Sequence, residues 1–116
     1  MADRPLAQRK CVPCEGGVPA LPASAAQGLL RDVRGWELLD GTRIRKTVKC
    51  QDFLAAVALI QRIAPLAEAE DHHPDLHLTG YRTLTVELST HAVGGLTEND
   101  FILAAKIDAL LATKPA

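Results

Sequence analysis

Between Thr83 and Ser89 polar and apolar residues alternate without a slip, with Leu84, Val86 and Leu88 set against Thr83, Thr85, Glu87 and Ser89. Successive side chains of a strand point to opposite faces, so this run buries one face and wets the other. Strands buried on both faces, as in parallel sheets, read instead as continuous apolar runs. The chain must therefore supply antiparallel neighbours for this strand and an apolar layer for one side of it.

Those neighbours are legible. Leu76–Thr79 leads through Gly80-Tyr81 into the alternating run, which extends over Thr83–Thr90. Trp36–Leu39 and Thr42–Lys49 flank Asp40-Gly41, a strong hairpin signal. Trp36 reads as a core anchor. Three helices complete the pattern. Ser24 is placed to cap a short helix over Ala25–Val33 that Gly35 stops. Asp52 starts the longest helix, with Phe53, Val57, Ile60 and Ala64 as its expected buried face and Pro65 as an expected kink or break. Thr97-Glu98-Asn99-Asp100 matches a capping box ahead of Phe101–Leu111. The order helix, two strands, helix, two strands, helix predicts an α+β fold: one four-stranded antiparallel sheet with three helices packed on one face.

At 116 residues the chain is long enough for one core, in a domain read over residues 24–116. Only Trp36, Phe53, Tyr81 and Phe101 are aromatic, so that core must be aliphatic. A net charge of −1 gives no global attraction to nucleic acid or an anionic membrane. The basic run Arg43–Lys49 puts Arg43, Arg45, Thr47 and Lys49 on one side of a strand, which reads as a solvated face rather than a polyanion contact. Met1–Lys10 lacks the apolar core of a signal peptide, and no apolar run approaches the roughly 20 residues that span a bilayer. A soluble, cytoplasmic protein without membrane or direct nucleic-acid partners is expected.

Residues 1–23 hold four of the seven prolines and read as an extended arm. Within it, Cys11-Val-Pro-Cys14 is a lone CxxC, open to three readings: an inert arm, half of a zinc site, or a redox pair. Cys50 is isolated and reads as a small hydrophobe.

All four histidines fall within His72–His91. Histidine is the side chain whose ordinary pKa, ~6.5, suits proton transfer near neutrality. If the two strands after Pro74 pair, the start of one and the end of the other share a sheet edge, where His73 and His91 could converge as general acid and base. His72 and His73, on opposite faces of an extended segment, cannot easily share a metal ion. An acid/base site, a metal site and ordinary surface histidines all remain open on spacing alone.

Glu68-Ala-Glu-Asp71-His72-His73-Pro74, then Tyr81, then Ser89-Thr90-His91, resembles the signature of the pterin-4a-carbinolamine dehydratases. The likeness continues through Gly94–Ala104 and includes Gly35-Trp36-Glu37 and the Cys11–Gly17 arm. It implies the same sheet-and-helix fold and a hydro-lyase that takes water from a 4a-hydroxytetrahydropterin, the carbinolamine made by aromatic amino-acid hydroxylases, without metal or organic cofactor. It further implies His72 and His91 as the acid/base pair and His73 as pterin binder and orienter. Glu68 and Asp71 would support the imidazoles, and Ser89 and Thr90 are candidates for bonds to the pterin edge, although both also fit a wet strand face. His77 lies outside the motif. A homodimer or homotetramer is expected, with a hydroxylase of the pathway as a partner. Two rival readings stay beside the enzyme: an interaction adaptor on the same fold, akin to a transcriptional coactivator, and a metal-binding protein built on the CxxC arm.

Overall fold

A computed structural model of the chain describes residues 5–11 and 19–112. Its elements run α1 (Ala23–Leu30), β1 (Glu37–Leu39), β2 (Arg43–Lys49), α2 (Phe53–Glu70), β3 (Asp75–Thr79), β4 (Thr83–Leu88) and α3 (Glu98–Ala112). Short 3-10 turns lie at Leu6–Gln8 and His91–Val93. The strands form one antiparallel sheet in the order β1-β2-β4-β3.

Both hairpins turn on two left-handed residues, whose twist matches that of the strands. They are Asp40-Gly41, with φ of 54° and 69°, and Gly80-Tyr81, with φ of 55° at each. Tyr81 turns its hairpin with an exposed ring. Ile44, Leu84, Val86 and Leu88 are fully buried and cluster with Ala26, Leu59, Ile63, Phe101, Leu103 and Ile107 from the three helices. The opposite sheet face carries the cross-strand row Glu37, Arg45, Glu87, Asp75, in which Arg45 pairs with Glu37 at 2.8 Å. Alternation along β2 and β4 thus becomes one dry face and one wet face, as expected.

α3 lies deepest, with Phe101 to Ala105 and Ile107 all buried. Trp36 anchors its far end: the indole Nε1–H donates to Asp108 Oδ1 at 2.9 Å, an oxygen shared with Lys46 Nζ at 2.8 Å.

Three local expectations need correction. Ser24 does not cap α1; it lies inside the helix, exposed, and Pro22 holds the N-cap position. The buried face of α2 is Ala56, Leu59, Ile63, Ala67 and Glu70, whereas Phe53 and Ala64 are exposed. The run Phe53–Ile60 is apolar all round, so periodicity alone could not orient it; packing against α3 did. Pro65 does not break α2, which runs unbroken to Glu70. Proline removes the bond to the carbonyl of Gln61, but Gln61 and Pro65 both face solvent, where water can satisfy that oxygen.

The described part of the arm is packed rather than free. Leu6 and Cys11 join the core, and Leu21 N–H donates to Leu96 O at 2.8 Å. Cys14 lies outside the described residues.

Candidate functional site

α2 ends in a backbone motif that aims the histidine pair. Asp71 adopts the left-handed conformation (φ 52°, ψ 40°); its N–H reaches Glu68 O, and the N–H of His72 reaches Ala67 O at 3.2 Å. This is a Schellman cap with aspartate where glycine is commonest. Pro74 then keeps His73 extended. The two imidazoles leave in different directions, and each finds a carboxylate.

His72 points inward. Its Nε2 lies 2.6 Å from Oδ1 of Asp100, a side chain with 0% exposure. Asp100 Oδ2 accepts from Thr90 Oγ1 at 2.8 Å and from the backbone N–H of Thr97 at 3.0 Å. The Thr97 contact is the reach-back half of the capping box, and the N-terminus of α3 favours the negative charge. Opposite a carboxylate, which accepts, Nε2 of His72 is assigned as the N–H donor of this contact, and Nδ1 is the ring nitrogen not engaged in it. The same logic orients the threonines: Thr90 spends its proton on Asp100, so the Thr97 hydroxyl donates to Thr90 across 2.9 Å. Among the described residues every buried side-chain nitrogen and oxygen has a partner.

His73 points outward. Its Nε2 lies 2.6 Å from Glu68 Oε1, with both side chains more than half exposed. Asp71, expected as a second supporting acid, serves the backbone as the left-handed cap and is exposed.

The register puts Asp75 of β3 opposite Glu87 of β4, so the histidine pair and the end of β4 do share one end of the sheet. There an open cleft of about 230 Å³ is lined by Thr42, Arg43, Ser89, Thr90, His91, Gly94 and Gly95. The loop carrying His91 is closed by paired backbone bonds between Thr90 and Gly95. A side chain at Gly95 would meet Ala20 Cβ at 2.9 Å, so only glycine fits this crossing. Ser89 is half-buried on the cleft wall. Thr90, read as a candidate pterin contact or a wet strand residue, is buried with its hydroxyl engaged by Asp100 and Thr97. His77 is exposed on the open sheet face, 4.0 Å from Glu87.

The motif reading missed two acids. Asp100 was legible only as a helix cap; that one carboxylate both caps α3 and holds His72 depends on where α2 ends. Glu70, in the motif's interior, is buried on Cys11 and Lys106. Burial alone would raise its pKa, yet the Cys11 N–H and the Lys106 ammonium pull it below the usual carboxylate range. Burial and the neighbouring Glu70 push the Cys11 thiol up to about 12, so it is protonated at neutral pH and unsuited to redox attack. Cys50 is half-buried against the core, and burial followed by Asp52 raises its pKa.

A small α+β fold with imidazoles at one end of its sheet can move protons to and from a ligand at that edge. The family model for pterin 4 alpha carbinolamine dehydratase matches residues 19–110. A relative from Nitrosomonas eutropha is 49% identical over 107 residues, spanning 91% of this chain and 93% of its own. The Arabidopsis thaliana protein named pterin-4-alpha-carbinolamine dehydratase 2, mitochondrial, is 46% identical over 90% of this chain and 58% of its own length. A Brucella melitensis crystal structure described as transcriptional coactivator/pterin dehydratase superposes with a TM-score of 0.72 at 35% identity, covering 78% of this chain and 97% of that one. These matches define the class as hydro-lyases. The chain belongs to the pterin-4a-carbinolamine dehydratase family.

Proposed function

We propose that this chain removes water from a 4a-hydroxytetrahydropterin, with His72 and His91 as the proton-transferring pair. Dehydration needs one proton delivered to the departing 4a-hydroxyl and one taken from a ring nitrogen, leaving a quinonoid dihydropterin and water. The observation that carries the assignment is the His72–Asp100 contact at 2.6 Å, which commits Nε2 and leaves Nδ1 as the working nitrogen. His91, on the cleft wall, is the second group, and Ser89 beside it is suited to bond the pterin edge. His73, bonded to Glu68, is the residue we assign as pterin binder and orienter.

The substrate would come from an aromatic amino-acid hydroxylase, and the working form would be a homodimer or homotetramer. Among the described residues no helix is long and apolar enough to cross a membrane. Free thiols at Cys11 and Cys50 suit a reducing compartment such as the cytoplasm.

The test is stopped-flow dehydration of a freshly generated 4a-hydroxytetrahydropterin. His72→Ala and His91→Ala should each lower turnover by roughly 10²-fold or more while remaining folded, the scale of general acid–base catalysis. Full activity in the double variant would refute the assignment. The coactivator half of the Brucella protein's description keeps the adaptor reading in view. A partner captured equally by wild type and by both histidine variants would favour it.

A further inference from the structure

We propose that Arg9, Lys10 and Cys11 form, together with Glu70, a clasp that sets the His72–Asp100 contact, which makes Glu70 a positioning residue for the dehydration. The inference rests on the catalytic assignment of His72 above and goes beyond it by naming what holds that histidine in place.

His72 and Asp100 belong to different elements. The first lies two residues past the last residue of α2, the second two residues past the first residue of α3. Their bond therefore depends on how the end of one helix sits against the start of the other. Three consecutive arm residues tie those two ends together. Cys11 N–H donates to Glu70 Oε1 at 2.8 Å, and Lys10 Nζ donates to Ala69 O at 3.0 Å, both on the last turn of α2. Arg9 pairs with Glu98 at 3.0 Å, and the Cys11 thiol donates to Asn99 O at 3.6 Å, both on the first turn of α3. Glu70 closes the loop directly, since its second oxygen lies 3.1 Å from Lys106 Nζ of α3.

Glu70 is 8% exposed, an expensive place for a carboxylate if the arm needed only to be held. An apolar residue would pin Cys11 to the core as well. What the carboxylate adds is direction: each oxygen has its own donor, one on the arm and one on α3, so the last turn of α2 is held in orientation as well as in position. Hydrogen bonds weaken steeply with angle, so a small rotation of that turn would misalign His72 Nε2 with Asp100 before it unfolded anything.

The experiment uses the full-length chain. Glu70→Ala removes the hub. Arg9→Ala with Lys10→Ala cuts the arm's two charged side-chain bonds while leaving the Glu70–Lys106 pair intact, and serves if Glu70→Ala fails to fold. Glu70→Gln with Lys106→Met keeps an acceptor for Cys11 N–H without stranding a cation. Two readouts are taken on protein shown to be folded: the His72 ring nitrogen signals by NMR, and kcat and KM on the 4a-hydroxytetrahydropterin. In Glu70→Ala and in the arm variant the His72 Nε2 signal should shift, and kcat should fall about ten-fold or more with KM within about two-fold, since the loss is one of alignment. The Glu70→Gln, Lys106→Met protein, which keeps the arm's hold on that residue and loses the one on α3, should fall between wild type and Glu70→Ala in both readouts. Either readout staying at its wild-type value in folded Glu70→Ala overturns the clasp. His72→Ala separates the two ideas. If it is inactive while the clasp variants match wild type, the clasp alone is wrong; if it retains full turnover, the catalytic assignment is what fails.

Discussion

Asp100 shows how much one buried carboxylate can be asked to do. It caps α3, receives the Thr90 hydroxyl and fixes the protonated nitrogen of His72. Replacing it with alanine would take the acceptor from Thr97 N–H and His72 Nε2–H, at a cost of about 1–3 kcal/mol for each buried donor left unmet, while the Thr90 hydroxyl keeps its bond to Thr97. Asp100→Asn is the sharper probe, because it preserves shape but sets an N–H2 group against one of those donors. It should lower stability by about 1–3 kcal/mol in denaturant titrations. It should also lower kcat by at least ~10-fold, since His72 loses the acceptor that fixes its tautomer. Unchanged kcat in Asp100→Asn would show that the contact is structural only. Of the histidine motif's acids, Glu68 meets His73 as a motif reader would expect, whereas Asp71 serves the backbone. A motif names residue types; it does not say whether a side chain or a main-chain angle is what the position requires.

At the scale of elements, the strands were the most legible part. Period-two alternation and two turn pairs placed all four, and the ladder Leu76↔Val86, Leu78↔Leu84 follows from burying one face. Helices were less so. The capping box located α3 correctly, but α2 is apolar around its full circumference over its first half, so its inward face was read about one residue out of phase. Pro65 was expected to interrupt that helix and does not. Its cost is borne without a break because the helix is held by packing on both sides of the proline, through Ile63 and Ala67. Relief should therefore appear as stability. Pro65→Ala restores a donor for Gln61 O and should gain about 1–3 kcal/mol, discounted for the looser unfolded chain, and raise the melting temperature by several degrees. A lower melting temperature would mean that the ring itself contributes packing.

At the scale of the molecule, two buried titratable groups set the edges of the stability profile. The folded pKa of Glu70 is depressed, so the unfolded chain binds the extra proton first. Its contribution is present above the unfolded carboxylate value and is lost as pH falls through the folded one. Cys11 has the opposite sign. Its thiol is raised from 9.0 to about 12, so its contribution is full below 9.0 and disappears as pH rises toward 12. Chemical denaturation across pH should show an acid limb that Glu70→Gln flattens and an alkaline limb that Cys11→Ser flattens. Site-resolved alkylation at pH 8 should label Cys11 slowly in the native protein and readily after unfolding; fast native labelling would contradict its burial.

Local patterning was enough for the class of fold, the strand order within each hairpin, the start of α3 and the presence of histidines at one end of the sheet, because alternation, turn chemistry and capping act over a few neighbouring residues. Contacts between remote segments were not accessible that way. The pairing of His72 with Asp100 spans 28 positions, and the hold of Cys11 on Glu70 spans 59. Such contacts depend on how α2 and α3 pack, and no local period encodes that. The separation of His72 from His73, visible in the sequence as two faces of an extended segment, became two distinct jobs only when packing supplied a buried acid to one and an exposed acid to the other.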